Sequence, residues 1–331
     1  MRMLRRLLAI VGVALLAAGC QTDLPLNDLK AKWGTPPSRF LPMDGIEVHW
    51  RDEGPGSAEA RSDAGADPRA PTDAPAILLL HGTGSSLHTW DGWARRLSAH
   101  YRVVRLDLPG FGLTGPHPSG DYSGAATADF LERFANAARL ERFAIAGSSL
   151  GGYYAWRFAL RHPERVTRLI LLDAVGYPIE VGTSAATALQ LARMPVVSEL
   201  MRFAPIRGIV QRSLKDTYGD DTKVTPELVD RYEQLMLRRG NRAAMGDRAR
   251  AERQPIGWQR LPELKVPTLI MWGGQDSWVP MTHAERFRRD IPDSRLVVYP
   301  GLGHVPMEED PSRTAEDAMR FLRGEAIPGQ K

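Results

Sequence analysis

One cysteine in 331 residues, Cys20, leaves no partner for a disulfide within the chain and excludes a cysteine-built metal cluster. Strong charge of one sign is missing too. The formal net charge is +4, and Arg2, Arg5 and Arg6 supply three positive charges, so without them the balance falls to +1. The later arginines alternate with acids, as in "LERFANAARLERF", which reads as solvated helix faces and argues against nucleic-acid binding. The apolar run from Leu7 to Ala18 falls short of the roughly 20 residues that a spanning helix needs. No repeat is visible and no linker divides the chain near its middle. What is present, 43% hydrophobic residues, suffices for one large α/β domain carrying an inserted subdomain.

The first stretch, "MRMLRRLLAIVGVALLAAGC", joins early arginines to an apolar run and a small-residue end, the layout of an export signal over residues 1–19. It resembles a bacterial lipoprotein signal, with Ala17 departing from the more usual leucine. That resemblance implies lipidation of Cys20 and a lipid-anchored tether over 20–43, carrying Pro25, Pro36 and Pro37, that holds the domain off a membrane. With Gln21 after the cysteine, it implies an outer-membrane protein facing the periplasm. An ordinary cleaved signal and an uncleaved anchor are the alternatives.

"DGIEVHWRDEG" (44–54) alternates apolar and polar residues, as a strand does. Residues 54–75, rich in Gly, Ala, Pro, Ser and Asp, read as a flexible insertion. From Pro75 onward, short β-rich runs alternate with amphipathic stretches, the mark of a mainly parallel sheet covered by helices. Strands are expected at 76–82, 101–110, 142–147, 166–175, 266–274 and 294–301, and helices at 123–140 (capped by Ser123), at 149–161 and near 310–323. Between Tyr177 and Trp258 the pattern is helical only, including "TPELVDRYEQLMLRRG", which predicts an inserted lid. The expected domains are a core in two parts, 44–176 and 259–331, with the lid at 177–258.

In "RFAIAGSSLGGYYAW" a strand ends at Gly147 and a helix begins at once, so the residue between must turn sharply. The Gly-x-Ser-x-Gly frame centres on Ser149, with Ser148 at its flank. A serine is a weak nucleophile until a base takes its proton and an acid orients that base. "LIMWGGQDSWVP" offers Asp276 past one late strand and "VVYPGLGHVPMEEDP" offers His304 past the next. A turn-forming aspartate and a capping or core histidine are ordinary readings of each alone; the order Ser149, Asp276, His304 favours the catalytic one. Asp173, ending "LILLDA", is the rival acid. His49 belongs to a strand, His100, His162 and His283 read as surface residues, and His117 lies in a proline-rich loop. For the oxyanion, the backbone N–H groups of Leu150 and Thr83, the latter in "LLLHGTGSSLHTW", are the expected donors, while His81 and Gly82 form the turn.

These segments, with "VVRLDLPGFGLT", resemble the lidded branch of the α/β-hydrolase superfamily, which includes esterases, lipases, C–C bond hydrolases and haloalkane dehalogenases. The resemblance runs from about Asp44 to Gly324 and implies the α/β-hydrolase fold, a mainly parallel sheet flanked by helices with a helical lid. A serine at the elbow disfavours the dehalogenase and epoxide hydrolase chemistries, which use aspartate. C–C hydrolases often carry Gly-Pro-Gly after "HG" and tryptophan after the histidine; here stand "GTGSSL" and Val305. A carboxylic ester with an apolar acyl group is therefore the expected substrate, with neither metal nor cofactor. C–C hydrolysis and a non-catalytic envelope lipoprotein are the alternatives.

Overall fold

The computed structural model describes residues 21–63, 74–178, 194, 199, 202–251 and 255–330. Its centre is built from apolar runs buried on both faces. Strands β3 (Ala76–Leu80), β4 (Arg102–Leu106), β5 (Phe143–Ser148), β6 (Val166–Leu172), β7 (Thr268–Gly273) and β8 (Ser294–Tyr299) pair in parallel in the order β4-β3-β5-β6-β7-β8. Strands β1 (Arg39–Met43) and β2 (Ile46–Glu53) extend the sheet antiparallel beyond β4. Each expected strand is present, most of them trimmed where the chain turns, while β5 runs one residue further than expected, through Ser148.

Alternate strand residues feed two cores, one on each face. Leu78, Leu80, Val104 and Ile145 join Phe134, Trp156 and Phe158 on one side; Ile77, Leu79, Val103 and Ala146 join Trp90, Trp93 and Phe321 on the other. The covering helices, in chain order, are α1 (Leu26–Trp33), α2 (Ala58–Asp63), α3 (Asp91–Leu97), α4 (Gly124–Ala137) and α5 (Leu150–Arg161). After β6 come α6 (Arg207–Thr217), α7 (Pro226–Met236) and α8 (Asn241–Ala251), then α9 (Met281–Asp290), α10 (Pro306–Glu309) and α11 (Pro311–Arg323). Ser123 acts as the cap read from the sequence, and the structure adds a second cap, Thr225. Ser123 Oγ accepts the Ala126 N–H (3.2 Å) ahead of α4, and Thr225 Oγ1 the Leu228 N–H (3.2 Å) ahead of α7, whose first residue is Pro226.

Helices α6 to α8 form a layer over the carboxyl edge of the sheet. Arg248 reaches Tyr154 Oη of α5 (2.6 Å) and the Pro109 carbonyl after β4 (2.5 Å), and Arg238 reaches the Leu113 carbonyl (3.1 Å).

Three expectations need correction. Residues 21–43, expected as a tether, are an ordered strap. Gln21 Nε2 donates to Glu233 (3.0 Å), Asp23 pairs with Arg242 (2.7 Å), Trp33 Nε1 donates to Gln234 (3.0 Å), and the strap then enters the sheet as β1. Its partners lie some two hundred residues downstream, where local composition gives no sign of them. Within the 54–75 insertion, residues 58–63 form α2, started by Asp52 Oδ2 accepting the Ala58 N–H (3.2 Å); residues 64–73 lie outside the described residues. His283 is buried, not a surface residue, and packs edge-on to Tyr177 with centroids 5.4 Å apart. Cys20 and the signal at 1–19 also lie outside the described residues.

Candidate active site

The turn after β5 settles which serine is presented. Ser148 ends the strand with its hydroxyl buried and unpartnered, whereas Ser149 is half-buried and holds φ 53°, ψ −117° between β5 and α5. A non-glycine residue there carries about 1–3 kcal/mol of strain. The turn is pinned on both sides: Ser149 N–H donates to the Leu172 carbonyl (2.9 Å) and its own carbonyl accepts the Val175 N–H (3.0 Å). Close approach forces the flanking glycines, since a Cβ on Gly147 would lie 2.2 Å from the Gly151 oxygen and one on Gly151 2.2 Å from the Leu80 oxygen.

The loops after β7 and β8 bring the other two residues together. His304 Nδ1 lies 2.8 Å from Asp276 Oδ2, so Nδ1–H donates and Nε2 keeps its lone pair. Asp276 Oδ1 accepts the backbone N–H groups of Trp278 (2.7 Å) and Val279 (3.0 Å), which fix the orientation of the carboxylate. The histidine loop is clamped from below. His304 N–H donates to the Thr217 carbonyl at the end of α6 (2.7 Å), and buried Glu309 accepts the N–H groups of Gly303 (2.8 Å), Gly219 (3.0 Å) and Asp220 (2.9 Å).

Asp173, the rival acid, sits beside this pair without replacing it. Side-chain atoms of Asp173, Asp276 and His304 lie within 4.8 Å of one another, but the imidazole hydrogen bond goes to Asp276. Burial, and then the Asp276 charge, push the Asp173 carboxyl well above the usual carboxylate range. These three are also the residues whose spacing could accept a cation. The lone pair of His304 Nδ1 is unavailable for one, because that nitrogen carries the hydrogen given to Asp276.

The turn after β3 lies against the serine. A Cβ on Gly82 would come within 3.0 Å of Ser149 Cβ, which places the Gly82–Thr83 peptide beside the hydroxyl. Thr83 N–H makes no hydrogen bond among the described residues. Leu150 opens α5, so its N–H has no partner within the helix. His81 is structural: Nε2 accepts the Leu108 N–H (3.0 Å), Nδ1 meets the Gly82 carbonyl (2.8 Å), and burial holds the ring neutral.

Sequence reasoning missed the support behind this loop. Buried Asp107 accepts the N–H groups of Leu87 (2.7 Å) and Leu113 (2.7 Å) and receives His49 Nδ1–H (2.7 Å). His49 Nε2 in turn accepts Ser38 Oγ–H (2.8 Å), and Ser38 Oγ accepts Arg51 Nε–H (3.0 Å). Burial opposes the Asp107 charge, but the His49 contact outweighs it and holds the carboxyl below its ordinary range. The aspartate stood in plain view in "VVRLDLPGFG"; its partners, in a strand and a strap far upstream, did not point to it.

Residues 75–311 match the family model described as the alpha/beta hydrolase fold. The chain belongs to that family. Among its relatives, an uncharacterised protein of Mycobacterium tuberculosis is 32% identical over 266 residues, 75% of each chain. A 2-hydroxy-6-oxo-6-phenylhexa-2,4-dienoate hydrolase of Comamonas testosteroni is 28% identical over 257 residues, covering 75% of this chain and 87% of that one. Among solved structures, a bacterial membrane phospholipase A matches with a TM-score of 0.69 and 26% identity over 98% of both chains. The family and its named members make this chain a hydrolase.

Proposed function

We propose that the protein is a serine hydrolase of carboxylic esters, with Ser149 as nucleophile, His304 as general base and Asp276 as orienting acid. The observation that carries this reading is His304 committed through Nδ1 to Asp276 with Nε2 free, in the same molecule as a serine on a strained strand-to-helix turn. Ser149 Oγ attacks the ester carbonyl while its proton passes to Nε2; the Thr83 and Leu150 N–H groups receive the oxyanion. The proton then goes to the departing alkoxide, and water, deprotonated by His304, releases the acid from the acyl-enzyme. Met236 and Met245 flank Gly84, and with Phe111 and Leu235 they give the oxyanion loop an apolar neighbour on the side of helices α7 and α8. Helices α6 to α8 then act as a lid over the ester.

Likeness to a membrane phospholipase A over 98% of the chain supports esters of membrane lipids as the substrate class. The Comamonas relative supports the second reading, hydrolysis of a C–C bond in a vinylogous diketone. Against that reading stand "GTGSSL" and Val305 where the resembling C–C hydrolases carry other residues. The proposed anchor fits the strap. Gln21, next to Cys20, donates its N–H to the carbonyl of exposed Phe203 (3.0 Å), so an acyl chain on Cys20 starts beside an apolar surface residue of the lid layer. None of the described helices is long and apolar enough to cross a membrane. An acylated Cys20 with the domain in the periplasm completes the proposal, and mass spectrometry of membrane extracts showing bare Cys20 would refute it.

A fluorophosphonate tests the nucleophile. It should label the wild type and Ser148→Ala and spare Ser149→Ala; equal labelling of both variants overturns the assignment. Turnover of lipid esters beside a ring-fission product separates the two substrates, and failure of both with no labelling leaves a non-catalytic envelope lipoprotein.

A further inference from the structure

At the carboxyl end of β6, fully buried Asp173 takes a left-handed backbone (φ 45°). Its Oδ1 accepts the Gly273 N–H (2.8 Å), while buried Oδ2 has no N–H or O–H donor. Asp276 is supplied differently, with two backbone N–H groups on Oδ1 and the imidazole on Oδ2. A second negative charge this close to Asp276 in a buried site is disfavoured, which leaves Asp173 protonated. Three donors serve Asp276 and only one serves Asp173. The proton therefore belongs to Asp173, on the oxygen that lacks a donor, with Asp276 as the acceptor in reach.

We propose that Asp173 is a neutral carboxylic acid whose Oδ2–H donates to Asp276, making it a positioning residue for the catalytic acid. The groups facing it agree. Asp276 and Glu309, from the loop after β7 and from α10, both oppose a second anion; Tyr299 of β8 and His304 complete its surroundings. The proposal rests on the Ser149, His304 and Asp276 assignment.

Asp173→Asn keeps the Gly273 contact and still offers a donor to Asp276; Asp173→Leu keeps the bulk and offers none. In the full-length chain, kcat/KM for a soluble ester should stay within about threefold of wild type in Asp173→Asn and fall about tenfold in Asp173→Leu, the worth of one hydrogen bond. The acidic limb of the pH profile decides the charge. Because Asn is neutral like the acid it replaces, the limb should not move; a fall of about half a unit or more would mean that a negative charge beside His304 was lost. Infrared difference spectra supply a readout apart from turnover: the carbonyl band of a protonated carboxylic acid, present at pH 8 and absent in Asp173→Asn. A lowered limb, a missing band, or wild-type rates in Asp173→Leu would each overturn the proposal. Asp276→Asn should lose about 10⁴-fold in kcat. A near-normal Asp276→Asn beside an inactive Asp173→Asn would instead topple the triad assignment itself.

Discussion

Ser148 and His283 show how a buried polar group without a partner becomes a measurable liability. The Ser148 hydroxyl is desolvated and bonded to nothing, so Ser148→Ala should leave the molecule as stable or more stable by up to about 1 kcal/mol, read by urea unfolding. His283 is the pH-sensitive case. Burial and then the Arg286 charge lower its pKa from 6.5 to about 4, and neither ring nitrogen has a partner. Between those values the unfolded chain takes up a proton that the folded one refuses, so stability falls as pH drops from about 6.5 to about 4. His283→Leu should flatten that part of a Tm-against-pH curve; an unchanged slope would mean that other groups set it.

At the scale of elements, helix α6 and the loops that carry Asp276 and His304 are one mechanical piece. The last turn of α6 holds the backbone of His304 through the Thr217 carbonyl, and Thr217 Oγ1 accepts Trp278 Nε1–H (3.1 Å) two residues from Asp276. Glu309 ties the chain after α6 to the same loop, and its carboxylate answers three N–H groups. Glu309→Gln puts an amide N–H₂ where an acceptor is needed, costing roughly 2 kcal/mol by urea unfolding and slowing fluorophosphonate labelling about tenfold. Loss of stability with full labelling speed would show that the loop keeps its shape unaided. The sequence disclosed the strands because their positions are buried on both faces, and it disclosed α4 and α7 through Ser123 and Pro226, both local signals. Ser149, His304 and Asp276 were legible through the turns that carry them. The partnership of Asp173 with Asp276 was not, since it depends on the lateral packing of β6 against β7, which no local pattern encodes.

For the whole molecule, the strap of residues 21–43 joins the layer of α6 to α8 to the sheet edge. Arg242 is its anchor on the side of that layer, bonding Asp23, the Gln21 carbonyl (2.9 Å) and the Ala204 carbonyl (3.2 Å) from a buried position. Arg242→Ala should release the strap and destabilise the layer by about 3 kcal/mol, the effect of breaking a largely buried pair. Limited proteolysis should then cut within residues 21–34 while β3 to β8 stay protected. Unchanged protease resistance would assign the hold to Gln21 and Trp33 instead.

Where the strap enters the sheet, the fold repeats a familiar wiring: Ser38 to His49 to Asp107, joined in the same bond order as a hydrolytic triad. A search of this molecule by connectivity alone would therefore find a decoy. Ser38 leads into the extended strand β1 with its oxygen occupied by Arg51, whereas Ser149 stands at the head of a helix on a contorted backbone. The two serines differ in the backbone on which each is mounted. Here the same side-chain types serve as a rivet between the strap, β2 and the loop after β4, so Ser38→Ala should leave fluorophosphonate labelling intact.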